Sequence, residues 1–180
     1  MPESFFIVTL WKIQQSWFDR EGQQGIVRVV GKGSFKNARH LKKYVEKASM
    51  AGIHDFTVDL QECIHMDSTF MGVLAGLASE RRREKLSLPR VVNINSRNFE
   101  LLQTLGIDRI LPLEASSPSL SNADFTPVDT SNGPADKLET AQTMLDAHQT
   151  LIDVNPANAA KFQDVMTFLK DKLNQAEKGS

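Results

Sequence analysis

Residues 56–78 read FTVDLQECIHMDSTFMGVLAGLA, and few folds accommodate that order. The β-branched and aromatic run Phe56-Thr57-Val58-Asp59-Leu60 suits a short buried strand. Met71, Leu74, Ala75 and Ala78 recur at spacings of three and four, which places them on one helix face. Between them lies Ile64-His65-Met66-Asp67-Ser68-Thr69, with Asp, Ser and Thr where a helix start needs caps for its unpaired N–H groups. The stretch is a strand, a loop and a helix in immediate succession, with Ser68 at or near the helix start.

Two roles are open to Ser68. In one, Asp67 or Ser68 is simply the N-cap, contributing about 1 kcal/mol. In the other, Ser68 is presented at a helix N-terminus, where free N–H groups and the helix dipole favour an anion such as a phosphate. Local chemistry alone does not choose between them.

The same alternation runs through the first two thirds of the chain. Residues 5–13, FFIVTLWKI, form a first strand, residues 14–24 a loop, and Ile26–Val30 a second strand. Gly31-Lys32-Gly33-Ser34 lacks the spacing of a phosphate loop and reads as a turn. Asn37 to Ala51 forms a helix burying Ala38, Leu41, Val45 and Ala48, and Gly52 closes it. Its Arg39, Lys42, Lys43 and Lys47 read as a solvated face. The central helix runs to about Leu86, with Arg81, Arg82 and Arg83 complementing the dipole at its end. A strand over residues 90–95 follows, then a helix capped by Asn95 or Ser96 and ended by Gly106, then a last short strand over 107–113. Alternating strands and helices predict an α/β layer fold.

Residues 114–133 are rich in Ser, Pro, Asn and Asp and read as a flexible linker. From Pro134, Leu138, Ala141, Leu145, His148 and Ile152 form one amphipathic face. Asn155-Pro156 starts a second helix, with Ala159, Phe162, Val165, Met166, Leu169 and Leu173 inward. Two helices bury little alone, so this αα-hairpin should dock on the preceding domain or pair with a second copy as a homodimer. His148 reads as a boundary residue, with no second His at metal spacing.

Composition narrows the function classes. The net charge of −1 is unlike that of a nucleic-acid binder. Residues 1–113 carry 16 Lys/Arg against 12 Asp/Glu and residues 114–180 carry 5 against 10, so an acidic tail follows a mildly basic domain. The single cysteine, Cys63, reads as a buried or half-buried loop residue and excludes an intramolecular disulfide. No apolar run reaches the length of about 20 residues that spans a bilayer, and the start, MPES, lacks a signal peptide's basic residues. A cytoplasmic protein is expected. Asp59 and Asp67 have no obvious partner for acid–base work, and no metal set is present, so neither catalysis nor a cofactor is expected.

The central stretch resembles the signature of STAS domains, the family of bacterial anti-sigma-factor antagonists: Asp59-Leu60, then Met66, then Asp67-Ser68-Thr69 stand in the family's order and spacing. Phe70 stands where the family has Gly, a departure, while Gly72 and Leu74 fit. The closing run LLQTLGIDRILPL also resembles the family's final helix, glycine and strand. The resemblance covers residues 5–113 and implies a mixed sheet with helices mainly on one face. With the linker and hairpin read above, which lie outside the resemblance, the chain divides into a STAS domain at 1–113, a linker at 114–133 and a helical hairpin at 134–180. The resemblance also implies a non-enzymatic module in which a partner Ser/Thr kinase phosphorylates Ser68, with Thr69 as the lesser acceptor, and a phosphatase resets it. Asp67, Ser68, Thr69, Phe70 and Met71 would meet the partner, and binding would control release of a sigma factor or similar client. No direct nucleic-acid or membrane contact is implied. The alternative is a constitutive scaffold whose hairpin is the interaction element, motivated by the bulky Phe70 beside Ser68.

Overall fold

The computed structural model describes residues 5–12, 23–117, 126–128 and 137–178. Most of the loop expected at 14–24 and of the linker expected at 114–133 lies outside them. Strands β1 (Phe5–Lys12) and β2 (Gln23–Gly33) pair antiparallel, with Phe5 opposite Val30. Helix α1 (Phe35–Met50) returns the chain to β3 (Asp55–Asp59), parallel to β2. Strand β4 (Cys63–Met66) and helix α2 (Ser68–Arg83) then lead to β5 (Arg90–Val92), parallel to β3. The sheet order is β5-β3-β2-β1-β6, where β6 (Thr126–Val128) pairs antiparallel with β1. This is the α/β fold that the alternation of elements predicts, with the mixed sheet that the family resemblance implies. Helix α3 (Ser96–Thr104) follows β5, and α4 (Lys137–Val154) and α5 (Asn158–Lys178) form the C-terminal pair.

The core is one apolar cluster. Val27 and Val29 from β2, Leu41 and Val45 from α1, Val58 from β3, Leu74 and Ala78 from α2 and Leu102 from α3 share it with Ala147 and Leu151 of α4. At about 25 cal/mol per Å² of apolar surface removed from water, this shared burial is the main force holding α4 against the sheet domain.

Several elements differ from expectation. Gly31–Gly33 is not a turn. β2 continues through it after an irregularity between Gly31 and Lys32 and pairs in parallel with β4. Cys63 is therefore a buried residue of a strand rather than of a loop, and burial pushes its thiol up from the ordinary value. The expected strand at 107–113 is a single 3-10 turn over Ile107–Arg109 with one bridge, Leu113 to Val91. Gly106 turns left-handed there (φ +78), and Ile107 and Leu111, four apart, bury together on one turn. Arg81 does not sit in solvent at a helix end: it is 3% exposed and donates to the carbonyls of His54 and Ser87.

The buried face of α4 is shifted from the one expected, whereas that of α5 is largely the one expected. Ala141, Ala147, His148 and Leu151 are buried in α4, whereas Leu138 is exposed and Leu145 and Ile152 are half-buried. In α5 Met166 and Leu169 are buried and Phe162, Val165 and Leu173 half-buried, as expected, with Asn158 buried and Ala159 exposed beside them. The shift in α4 follows from docking: this helix packs against α2 as well as against α5, and that contact selects its inward face.

Candidate functional site

The site is built where β2 and β4 end side by side and two helices begin. Asp67 follows β4, and its N–H donates to the Gly33 carbonyl at the end of β2 (2.9 Å). Its carboxylate caps both helices at once. Oδ1 accepts from the Phe70 N–H at the start of α2 (2.9 Å), and Oδ2 accepts from the Phe35 N–H at the start of α1 (2.8 Å). Two helix N-termini, each carrying partial positive charge, converge on one anion. The capping duty thus belongs to Asp67, and Ser68 is the first residue of α2 with its hydroxyl spare.

That hydroxyl meets the C-terminal hairpin. Ser68 Oγ lies 2.9 Å from His148 Nε2, and His148 Nδ1 lies 2.7 Å from the Met144 carbonyl. A carbonyl only accepts, so Nδ1 carries a proton, and in the neutral ring Nε2 accepts from the Ser68 hydroxyl. His148 is 3% exposed and packs edge-on to Phe162 of α5, with ring centroids 4.8 Å apart. Far from being a boundary residue, it is a buried polar group whose partner lies 80 positions away. The signal in the sequence was a histidine on an apolar helix face. Nothing in the sequence named its partner.

A serine bonded to an imidazole at a helix N-terminus is also how nucleophilic serines are activated. Here the imidazole is oriented by a backbone carbonyl, not a carboxylate, and α4 covers it. A groove of about 330 Å³ does run between α2 and α4, but its walls are Gly72, Gly76, Glu80, Arg83, Asp146 and their neighbours, not Ser68 or His148.

The other expected contact residues lie around this centre. Thr69, Phe70 and Met71 are buried, so in this conformation they offer a partner little surface, while Asp67 and Ser68 are half-buried. The Phe70 ring is fully buried and fills the space left by the missing side chain of Gly33: a Cβ there would lie 2.9 Å from the ring. The bulky residue in the motif is therefore accommodated inward, and does not stand between Ser68 and solvent. Asp59, the other motif carboxylate, is wholly buried and structural. It accepts from Arg28 Nε (2.7 Å), Asn93 Nδ2 (2.8 Å) and the Gln61 N–H (3.0 Å).

Three further contacts hold the hairpin over the site. Gly72 is the crossing point: a Cβ there would come within 2.4 Å of the Ala147 carbonyl oxygen. Glu139 reaches Lys43 (2.6 Å) and Arg39 (3.0 Å) on α1, and these partners, Lys43 foremost, hold its carboxyl below the ordinary value. Two of the basic residues read as a solvated face, Arg39 and Lys43, thus grip Glu139 of the acidic tail. At the far end, Asn158 Nδ2 donates to the carbonyls of Leu105 (3.0 Å) and Leu151 (2.8 Å).

A sequence profile described as "Mlab, STAS domain" matches residues 16–113, more than half of the chain, and the protein belongs to the STAS domain family. No curated protein matches the chain. Among solved structures, an anti-sigma factor antagonist from Thermotoga maritima, named as putative, is 20% identical, with 52% of this chain and 81% of that one covered and a TM-score of 0.46. The anti-sigma factor antagonist SpoIIAA in its unphosphorylated form is 15% identical (58% and 87% covered, TM-score 0.44). The phosphorylated form of SpoIIAA from Bacillus is 16% identical (56% and 88% covered, TM-score 0.42). No helix among the described residues is long and apolar enough to cross a membrane.

Proposed function

We propose that this STAS protein is a regulatory binding module of the anti-sigma-factor-antagonist kind, with Ser68 as the residue that a partner Ser/Thr kinase phosphorylates. The observation that carries the reading is the division of labour at the start of α2. Asp67 caps both helices, so the Ser68 hydroxyl is not needed to hold the domain together. A phosphate there adds a charge of about −1.5 to −2 beside the Asp67 carboxylate. A partner seated on this surface would be weakened by like-charge repulsion and desolvation, and a phosphatase would restore it. Thr69, buried at 3% exposure, is the poorer acceptor.

On this reading residues 1–113 are the switching domain, 114–133 its connection and 134–180 an extension that acts on it. The motive for a constitutive scaffold, a bulky ring obstructing Ser68, falls away because Phe70 points into the core. Intact-mass and site-mapping spectrometry on protein purified from its own cells tests the proposal. A phosphate on Ser68 whose occupancy changes with growth conditions supports it. Unmodified Ser68 at full coverage under every condition rejects it.

A further inference from the structure

We infer that the C-terminal hairpin is a removable cover for Ser68, and that a docked hairpin and a modified Ser68 exclude each other. The inference deepens the proposed phospho-switch by naming what regulates access to its acceptor. Three observations point to it together. The Ser68 hydroxyl is hydrogen-bonded to His148 on α4, at 2.9 Å. His148 is held in place by the Met144 carbonyl on one side and the Phe162 ring on another, so it cannot swing aside while the hairpin stays docked. And α4 crosses α2 one turn further on, with Ala147 directly over Gly72.

Phosphoryl transfer to Ser68 would break the O–H bond, form an O–P bond at Oγ and release the hydroxyl proton, with a nucleoside triphosphate as donor and its diphosphate as leaving group. The phosphorus and its three outer oxygens then need the space that the imidazole fills, because hydrogen-bond distance leaves no room for an atom between Oγ and Nε2. A kinase must also reach Oγ in line with its donor, which the covering helix prevents. Opening is therefore needed before modification, and reclosing is blocked after it. The docking contacts are suited to a reversible cover. They combine the burial of Ala147 and Leu151 in the shared core with a small-residue helix crossing, a half-exposed ion-pair cluster at Glu139 and one hydrogen bond from Asn158 to the Leu105 carbonyl, and the hairpin has no separate core of its own to lose on opening.

Two measurements on the full chain test it, and neither depends on whether a cellular kinase uses Ser68. In the first, Ser68→Cys is alkylated with iodoacetamide, alone and combined with Gly72→Ala, whose Cβ collides with the Ala147 backbone of α4. Labelling at position 68 should be about tenfold or more faster in the double variant, and equal rates overturn the cover. Cys63, buried in β4, serves as the internal reference. In the second, phosphoserine is installed at position 68 during translation and hydrogen exchange is followed by mass spectrometry. Exchange over residues 137–178 should accelerate at least tenfold while β2, β3 and β5 keep their protection. Unchanged exchange in the hairpin overturns the inference, and so does a loss spread equally over the strands, which would be unfolding of the domain. If both measurements succeed while Ser68 is never phosphorylated in cells, the phospho-switch fails and the cover stands.

Discussion

Gly72→Ala separates the stability of the sheet domain from the docking of the hairpin, because its two effects have opposite signs. Within α2, replacing a mid-helix glycine by alanine gains roughly 0.5–1 kcal/mol in helix propensity. That gain is common to the docked and undocked states, since α2 is helical in both, so it cancels from the docking equilibrium. The steric effect does not cancel. The new Cβ would lie 2.4 Å from the Ala147 carbonyl oxygen, 2.7 Å from its carbon and 2.8 Å from its Cβ. Ordinary carbon contacts are about 3.5–4 Å, so α4 must retreat by about 1 Å or leave. Two backbone atoms are among the obstructions, and no side-chain rotation relieves them. Overpacking of this kind costs about 1–3 kcal/mol. Retreat also stretches the Ser68–His148 bond, whose net worth is about 0.5–1.5 kcal/mol. The docking equilibrium should shift by about 1–3 kcal/mol, roughly 5- to 150-fold. Native-state hydrogen exchange reads both effects in one sample. Amides of α4 should lose protection by that factor, while slow amides of β2 and β3 keep or slightly increase theirs. Undiminished protection in α4 would refute the claim that Gly72 is the crossing point. A fall in β2 and β3 as large as in α4 would refute the claim that the domain stands without its cover.

Other substitutions probe the parts beneath. Asp59→Ala leaves the Arg28 guanidinium without its buried carboxylate, and breaking such a pair typically costs about 3–5 kcal/mol, visible as a lower urea midpoint. Phe70→Ala empties the space between α2 and Gly33 and should cost about 3–5 kcal/mol in the same assay. Glu139 has a depressed carboxyl pKa, so its contribution to docking is present above the ordinary carboxylate value of 4.5 and is lost as pH falls through its lower folded value. Hairpin exchange, corrected for its intrinsic pH dependence, should therefore rise on acidification through that window. Glu139→Gln should flatten the dependence at a cost of no more than about 1 kcal/mol at neutral pH, as its surface position implies.

The sheet domain was legible because its information is local. β-branched runs, helix-spaced alanines and leucines, and glycines at helix ends each act within a few residues, and β1, β2, β3, α1, α2 and α3 all lie where they indicate. The misreadings came where tertiary pairing decided. β4 is a strand because the end of β2 offers it a ladder, and residues 107–113 curl because Gly106 and the spacing of Ile107 and Leu111 favour a turn. The motif gave the place of Ser68 but could not divide capping between Asp67 and Ser68, since either residue type caps a helix. That choice rests on the Phe35 N–H, which comes from an element 32 positions earlier.

The tail was legible as two helices but not as a lid, and the reason is physical. An amphipathic helix records that one face is buried and not what buries it. Leu138 suggested a face that the docked helix turns outward, and Leu145 and Ile152 lie at the edge of the buried one. The sequence did hold two clues on opposite sides of one contact: Gly72, a small residue inside a helix, and His148, a polar residue on an apolar face. Each alone has a bland reading, as a family position and as a boundary residue. A glycine that admits a neighbouring backbone needs a helix to admit, and a buried imidazole needs a partner. In this fold one crossing meets both needs, and the partner the imidazole finds is the serine on which the proposed switch depends.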